Sequence, residues 1–376
     1  MQETDSLHRR VPELDGLRGL AVLGVIAFHY LGPFLPSSGW RQVIALPARM
    51  GWLGVDLFFV LSGYLIASIL IANRESPALF RTFYVRRCCR ILPLYLPVIV
   101  VLYGFHQLFQ RPPGPFLHHY LTFTQNFWMA TAGSLGLGWL SVTWSVAVEE
   151  QFYLLLPALV RFNSAKAFLG IVIGCIVLAP VLRFLFLSNA GWDAMLPIRV
   201  LLSTNLDSLM LGVLVACARR RLLAIPIAAV RAAWVLCGAT IVYPLLSKIA
   251  LPAQPDPLSG AIHKLVISLF FVLTLLIALK GGFRFLRAEA LTYTGVVSYG
   301  LYLFHEPVNW LIHRLHPRLS DWNDPRVLIV SFITVYAAAA LSWELFEKRF
   351  VEYGHRFRYE PDVGPAIAVP VAQKSL

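Results

Sequence analysis

LDGLRGLAVLGVIAFHY, residues Leu14 to Tyr30, is a nearly continuous apolar stretch that is long enough to enter a lipid bilayer, yet it carries two ionisable side chains, Arg18 and His29. An ionisable group costs about 3 kcal/mol near the centre of a membrane helix, and less where it reaches the interface or a water-filled cavity. The spacing of 11 residues brings both side chains onto nearly the same helix face, about 16 Å apart along the axis. This spacing predicts a helix that presents a cation and an imidazole to one long substrate.

The composition of the whole chain is typical of a polytopic membrane protein. Of the 376 residues, 58% are hydrophobic and 14% are charged, whereas soluble domains carry about 25% charged residues. Ten apolar stretches are suitable for spanning helices: residues 14–35, 52–72, 91–109, 144–160, 167–187, 199–217, 232–250, 261–279, 291–312 and 327–346. We therefore expect an all-α protein of about ten transmembrane helices around a polar central cavity.

The net charge of +12 is explained by membrane topology. With a cytoplasmic N-terminus, most lysines and arginines fall in segments on the cytoplasmic side, as the positive-inside rule requires. Both termini are therefore expected in the cytoplasm, and the basic charge requires no nucleic-acid partner. We expect residues 1–350 to form the transmembrane domain and residues 351–376 to form a flexible cytoplasmic tail.

Two polar side chains of the second predicted span are not explained by membrane insertion. The stretch GWLGVDLFFVLSGYLI, residues 51–66, contains Asp56 and Ser62. A buried carboxylate needs a partner or water. Asp56 therefore either fixes an arginine or a helix end, or it contacts substrate.

Three arginines stand at the cytoplasmic mouth of the third predicted span. The stretch FYVRRCCRILPLYLP contains Arg86, Arg87 and Arg90. Any one of them is explained by an ordinary positive-inside flank. Together with Arg18 on the same side of the membrane, they could instead form a phosphate cradle, because arginine has a planar fork of donors and a permanent charge.

The fourth predicted span carries two adjacent carboxylates, Glu149 and Glu150, within WSVAVEEQFY. Successive helix residues diverge by about 100°, so one carboxylate can face an inner cavity while the other caps or pairs locally. Glu149 is expected at about the depth of His29, where a carboxylate would hold the imidazole in one tautomer and make it a better base. Trp144 and Ser145 precede the pair, and tryptophan is a common interfacial anchor.

The ninth predicted span, SYGLYLFHEPV, adds Tyr299 and His305. A single polar residue of this kind usually joins two helices, but ionisable groups in six spans predict a polar cavity. No metal site is expected, because the pair His313 and His316 stands at an outer end without matching ligands elsewhere.

In these motifs the chain resembles the membrane-bound acyltransferase-3 family, whose members modify cell-surface glycans and some small molecules. The family's arginine–ten residues–histidine signature matches Arg18 to His29, and its further motifs match GVDLFFVLSGYLI, RRCCRILPLY, WSVAVEEQFY and SYGLYLFHEP in the same order. The resemblance runs from Leu14 to about Phe350. It departs at residues 347–349, where the family usually has glutamate–lysine–proline and this chain has Glu-Lys-Arg.

The resemblance implies an acyl-CoA donor, commonly acetyl-CoA, that is a substrate rather than a permanently bound cofactor. The anionic donor would meet Arg86, Arg87 and Arg90 in the cytoplasm, with Arg18 nearer the pore, and its pantetheine arm would extend towards His29. The acceptor would be a hydroxyl of an extracytoplasmic carbohydrate, either a surface polysaccharide or a lipid-linked glycan, at a bacterial inner membrane. Many family members also carry an extra helix and a secreted hydrolase-like domain. We expect neither in these 376 residues, and we therefore expect transfer within the membrane domain.

For the chemistry, the resemblance and the residues together predict His29 as general base on the acceptor hydroxyl, with Glu149 as its orienter. A covalent acyl-histidine intermediate is a second route. Seven further residues are expected to support the site or face the acceptor: Asp56, Ser62, Trp144, Ser145, Glu150, Tyr299 and His305. The alternative function is a transporter or flippase of a lipid-linked glycan, which would use the same polar cavity without acyl transfer.

Overall fold

The computed structural model describes residues 11–31, 41–108, 114–246, 256–315 and 325–359. Within these ranges the chain is helical and contains no β-strand. The helices are α1 (Pro12–Leu31), α2 (Arg41–Arg49), α3 (Gly54–Ala72), α4 (Leu79–Leu108), α5 (Leu117–Leu121), α6 (Gln125–Ala132), α7 (Thr143–Phe162), α8 (Ala165–Ala190), α9 (Met195–Val200), α10 (Leu206–Cys217), α11 (Arg219–Ala224), α12 (Ile227–Leu246), α13 (Pro257–Leu279), α14 (Glu289–Val296), α15 (Ser298–Leu315), α16 (Pro325–Ser342) and α17 (Lys348–His355).

The all-helical prediction is confirmed for the described residues. Six helical segments have the length and apolar composition needed to cross a membrane: Pro12–Leu31, Gly51–Ala72, Leu79–Leu108, Ala165–Val200, Pro257–Leu279 and Arg326–His355. The other four predicted spans also fall on helices, although these are shorter or more polar. Ten crossings and the cytoplasmic position of both termini remain predictions.

Two of the predicted spans are interrupted where polar side chains bind the backbone. The stretch 199–217 breaks between α9 and α10, where Thr204 donates a 2.8 Å hydrogen bond to the carbonyl of Ile198. The stretch 291–312 breaks between α14 and α15, where Ser298 donates a 2.8 Å hydrogen bond to the carbonyl of Gly295. Such local hydrogen bonds compete with the backbone bonds of a continuous helix. They leave the pattern of apolar residues unchanged, and the breaks were therefore not predicted from that pattern.

Small residues bring the helices around the site into close contact. α1 lies against α3, α14 and α15, and α3 lies against α10. A β-carbon at Gly19 would clash with the carbonyl of Leu291, and one at Gly63 would clash with the carbonyl of Leu209. Glycine at these positions permits the close packing that sets the positions of α1 and α3.

Two buried ion pairs join helices behind the site. Arg183 on α8 forms a bidentate pair with Asp207 on α10, at 3.0 and 2.6 Å, and both side chains are fully buried. Lys264 on α13 lies 2.9 Å from Asp56 on α3. These carboxylates have the partners that burial demands.

The beginning of the predicted flexible tail is packed against α4. α17 continues the last long helix, and Arg86 donates two hydrogen bonds, of 2.9 and 2.7 Å, to the carbonyl of Phe357. The side chain of Arg86 on α4 thus satisfies a backbone group of this segment, and the boundary of the tail at residue 350 remains a prediction. Residues 360–376 lie outside the described residues.

Candidate active site

A small cavity of about 70 Å³, partly open to solvent, lies between α1, α3, α7 and α15. All four helices contribute to its lining, which consists of Arg18, Val55, Phe58, Phe59, Ser62, Ser145, Val146, Glu149, Ser298, Tyr299 and Tyr302. The structure thus brings together five residues that the sequence analysis singled out from four separate motifs.

Glu149 is held at the Arg18 end of this cavity. Ser62 donates a 2.6 Å hydrogen bond to Oε1 of Glu149, and the Tyr153 hydroxyl donates a 3.0 Å bond to Ser62. The positive charges of Arg18 and Arg87 both attract the Glu149 carboxylate. These contacts form a polar network that joins α1, α3, α4 and α7.

The predicted pairing of Glu149 with His29 is not observed. α15 shows why, because Tyr299 lines the cavity beside Glu149, whereas His305 contacts His29. Six helical residues separate those two positions of α15, a rise of about 9 Å. The sequence predicted only that Glu149 and His29 lie in the same half of the membrane. A depth predicted with that precision does not distinguish positions that are two helical turns apart.

His29 instead belongs to a cluster with two neighbouring residues of α15. Nδ1 of His29 lies 3.1 Å from Nε2 of His305 and 3.7 Å from Oε1 of Glu306. The Tyr30 hydroxyl donates a 2.7 Å hydrogen bond to the backbone carbonyl of His305, which fixes α1 against α15. His305 is fully buried, while the side chains of His29 and Glu306 are each 23% exposed.

The hydrogen bonds of His305 determine which nitrogen of His29 carries hydrogen. Nδ1 of His305 lies 2.7 Å from the carbonyl oxygen of Tyr302, and a carbonyl can only accept, so this nitrogen is the donor. For neutral rings, Nε2 of His305 then accepts from Nδ1 of His29. The lone pair of His29 is left on Nε2, the nitrogen that a general base needs.

The predicted arginine cradle divides into two groups. Arg18 lines the cavity, and Arg87 lies over the ring of Tyr153, 5.0 Å from its centroid, with its charge acting on both Glu149 and Glu150. Arg86 and Arg90 instead donate to backbone carbonyls, those of Phe357 and Val296 respectively. Two of the four arginines therefore face the polar network, and two hold neighbouring segments.

Three supporting residues have structural contacts of their own. Asp56 lies in the first turn of α3 and pairs with Lys264 of α13 at 2.9 Å. The ring of Trp144 has Arg199 above it, with the guanidinium carbon 5.7 Å from the ring centroid. Ser145 lies 2.7 Å from the Tyr302 hydroxyl, which links the cavity to the helix that carries His305.

Glu150 and Tyr299 lie close to the same network. Oε1 of Glu150 is buried and has no hydrogen-bond partner in the described part of the chain. Tyr299 donates a 3.2 Å hydrogen bond to the carbonyl of Ile91, and its ring lines the cavity. Glu149 lines the cavity as one of the two carboxylates was expected to do, whereas no local hydrogen bond to Oε1 of Glu150 is found in the described part of the chain.

Two residues of the site were missed by the sequence analysis. Glu306 follows His305 directly in the motif SYGLYLFHEP, and that adjacency was the available signal. Arg199 was counted among ordinary outer charges, yet its charge acts on His29, on Tyr302 and on Asp56. No local pattern marks Arg199, because its role depends on how α9 packs beside α7.

The apolar helices, the polar cavity and the histidine cluster together are typical of a multi-pass membrane protein with a site between its helices. Residues 11–343 match the family model described as an acyltransferase domain, so the chain belongs to that acyltransferase family.

Relatives of the chain are peptidoglycan O-acetyltransferases by name. The peptidoglycan O-acetyltransferase OatA of Listeria monocytogenes is 30% identical over 82% of this chain and 51% of its own length. YrhL of Bacillus subtilis, provisionally named a peptidoglycan O-acetyltransferase, is 28% identical over 93% of this chain and 56% of its own length. The O-acetyltransferase OatA of Staphylococcus aureus is 35% identical over 41% of this chain and 25% of its own length. The chain spans about half the length of the first two relatives, and no solved structure matches it.

Proposed function

We propose that this protein transfers an acyl group, most simply acetyl, from cytoplasmic acyl-CoA to a hydroxyl of an extracytoplasmic carbohydrate. The observation that carries the proposal is the tautomer of His29, which leaves a basic nitrogen on α1, the helix that also contributes Arg18 to the cavity. Membership of the acyltransferase family and the names of the relatives support the reaction class.

In the proposed reaction, Nε2 of His29 takes the proton of the acceptor hydroxyl while the hydroxyl oxygen attacks the thioester carbonyl. The carbon–sulfur bond then breaks, the ester remains on the acceptor, and the CoA thiolate receives the proton from His29. A positioned base of this kind contributes about 10²- to 10⁴-fold in rate. The carboxylate of Glu306, at 3.7 Å, would stabilise the imidazolium that forms in between.

The donor would lie along the cavity with its anionic part towards the arginines. Arg18 and Arg87 are the first candidates for contact with CoA, because the described residues give neither of them a hydrogen bond to a backbone carbonyl. Arg86 and Arg90 would position α4 and contribute charge from the same surface. Glu149 and Ser62 would then hold the Arg18 side of the passage in place.

The acceptor is proposed from the relatives and from the accessibility of the histidine cluster. Two of the relatives carry the name peptidoglycan O-acetyltransferase, so a surface polysaccharide, a lipid-linked glycan or peptidoglycan is the proposed acceptor class. The partial exposure of His29 and Glu306 would admit an acceptor hydroxyl to the histidine cluster. The proposed location is a bacterial inner membrane.

A binding experiment tests this proposal against a transporter of lipid-linked glycans. The detergent-solubilised wild-type protein would be titrated with CoA and acetyl-CoA in several lipid compositions, with an Arg18→Ala/Arg87→Ala variant as the matched control. Saturable binding that the variant loses supports the enzyme. Absence of binding under every lipid condition, together with glycan movement across vesicles that contain the protein, would overturn it.

A further inference from the structure

We propose that His29, His305 and Glu306 form an exchangeable site for Zn²⁺, and that the bound ion blocks the basic nitrogen of His29. The sequence analysis predicted no metal site, because it assessed only histidines that are close together in sequence. The proposed site instead combines His29 of α1 with His305 and Glu306 of α15. Its effect on activity rests on the proposed function, whereas metal binding does not.

The three ligand atoms already have the separations that one metal ion requires. Nδ1 of His29 and Nε2 of His305 lie 3.1 Å apart, and Oε1 of Glu306 lies 3.7 and 4.0 Å from them. Ligands about 2.1 Å from a tetrahedral zinc ion are about 3.4 Å apart. A zinc ion between these atoms therefore requires the separations to change by at most about 0.6 Å, together with a rotation of the two imidazole rings towards the ion.

The hydrogen bond from Nδ1 of His305 to the carbonyl of Tyr302 also suits His305 as a metal ligand. Metal-binding histidines almost always donate their second ring nitrogen to a carbonyl or carboxylate, which fixes the tautomer and the ring orientation. Nδ1 of His305 donates in this way to the carbonyl of Tyr302, at 2.7 Å. Its Nε2 lone pair is consequently available, and a metal ion would replace the hydrogen that it accepts from Nδ1 of His29.

The chemistry of the ligand set selects the ion. Two imidazoles and one carboxylate are the ligands of many zinc sites that keep a fourth position for water, and imidazole suits zinc better than it suits calcium or magnesium. The side chains of His29 and Glu306 are partly exposed, so an ion can reach the site from solvent.

Metal binding and general-base catalysis exclude each other at His29. The ion takes Nδ1 of His29 as a ligand, so the hydrogen on that nitrogen must move to Nε2 if the ring stays neutral. Nε2 then carries a hydrogen and cannot accept one from a hydroxyl. Zinc is therefore expected to inhibit acyl transfer, and a chelator is expected to restore it.

Cobalt provides a direct test, because tetrahedral Co²⁺ absorbs visible light and can be displaced by Zn²⁺. Full-length protein in detergent would be titrated with Co²⁺ and then with Zn²⁺. The variants would be Glu306→Gln and His29→Ala, with His118→Ala/His119→Ala as the matched control, because that adjacent pair could also attract metal. Gel-filtration profiles and thermal unfolding of each variant would show that it is folded.

We expect one Co²⁺ per wild-type chain, unchanged in the His118/His119 control and more than about 10-fold weaker in both site variants, since even second-shell changes cost that much. Absence of tetrahedral Co²⁺ in the wild type, or its loss only in the control, would overturn the metal site. Acyl transfer measured with chelator tests the proposed function separately. Acyl transfer without cobalt binding would refute the proposed metal site but not the proposed function. Cobalt binding without acyl transfer would refute the proposed function but not the metal site.

Discussion

The carboxylate of Glu306 lies 3.7 Å from Nδ1 of His29, whereas the Glu149 carboxylate accepts a 2.6 Å hydrogen bond from Ser62. We therefore expect the two carboxylates to have separate tasks, with Glu306 stabilising the charge of His29 and Glu149 supporting Arg18.

Glu306→Gln is expected to lower kcat for acyl transfer by about 10²-fold, because an amide does not stabilise the imidazolium as a carboxylate does. Its KM for acyl-CoA should change little. Glu149→Gln is the matched comparison and should mainly raise that KM. Steady-state kinetics of both variants would check the division, and a Glu306→Gln enzyme with wild-type kcat would contradict it.

Arg87→Ala is expected to raise the KM for acyl-CoA by about 10- to 100-fold, since a hydrogen bond to a charged group contributes about 1.5–3 kcal/mol. Arg86→Ala should act mainly on thermal stability, because its guanidinium holds the carbonyl of Phe357. The measurement is KM and thermal unfolding for the two variants. Equal effects of both on KM would show that the distinction between the arginines does not hold.

Asp207→Asn is expected to destabilise the protein by about 3–5 kcal/mol, because it leaves a fully buried arginine without its counter-ion. The double variant Arg183→Met/Asp207→Leu removes both charges and should unfold closer to the wild type. Thermal unfolding in detergent compares the three proteins. A double variant less stable than Asp207→Asn would contradict this account of the pair.

Gly63→Ala is expected to destabilise the packing of α3 on α10 by about 1–3 kcal/mol, since its new methyl group meets the carbonyl of Leu209. Gly170→Ala is a suitable control, because nothing lies within 4 Å of a β-carbon at that position. Thermal unfolding should separate the two variants clearly. Similar midpoints would mean that the α3–α10 contact adjusts without cost.

The sequence predicted the helical class and the residues of the cavity better than it predicted their pairings. Apolar stretches identify helices because burial in lipid demands them, and polar side chains in such stretches stand out. Ser62, Ser145 and Glu149 were found in this way, and they do meet in one cavity.

Which side chains meet between two helices depends on the depth of each residue in the membrane to within one helical turn. The periodicity of apolar residues does not give the depth with that precision. Glu149 was assigned to His29 for this reason, and Glu306 was overlooked beside the more conspicuous His305. Asp56 was expected to meet an arginine or a helix end, but Lys264 of α13 is brought to it by packing. Such contacts follow from helix positions over more than 200 residues of sequence separation.

Acyl transfer across the membrane through His29 is tested most directly in sealed vesicles of known orientation. Labelled acetyl-CoA would be supplied to the cytoplasmic face alone, and label would be followed into glycan on the opposite face for the wild type and for folded His29→Ala. The account predicts transfer by the wild type and a loss of at least about 10²-fold in the variant. Equal transfer by both proteins would remove His29 from the mechanism and contradict the account.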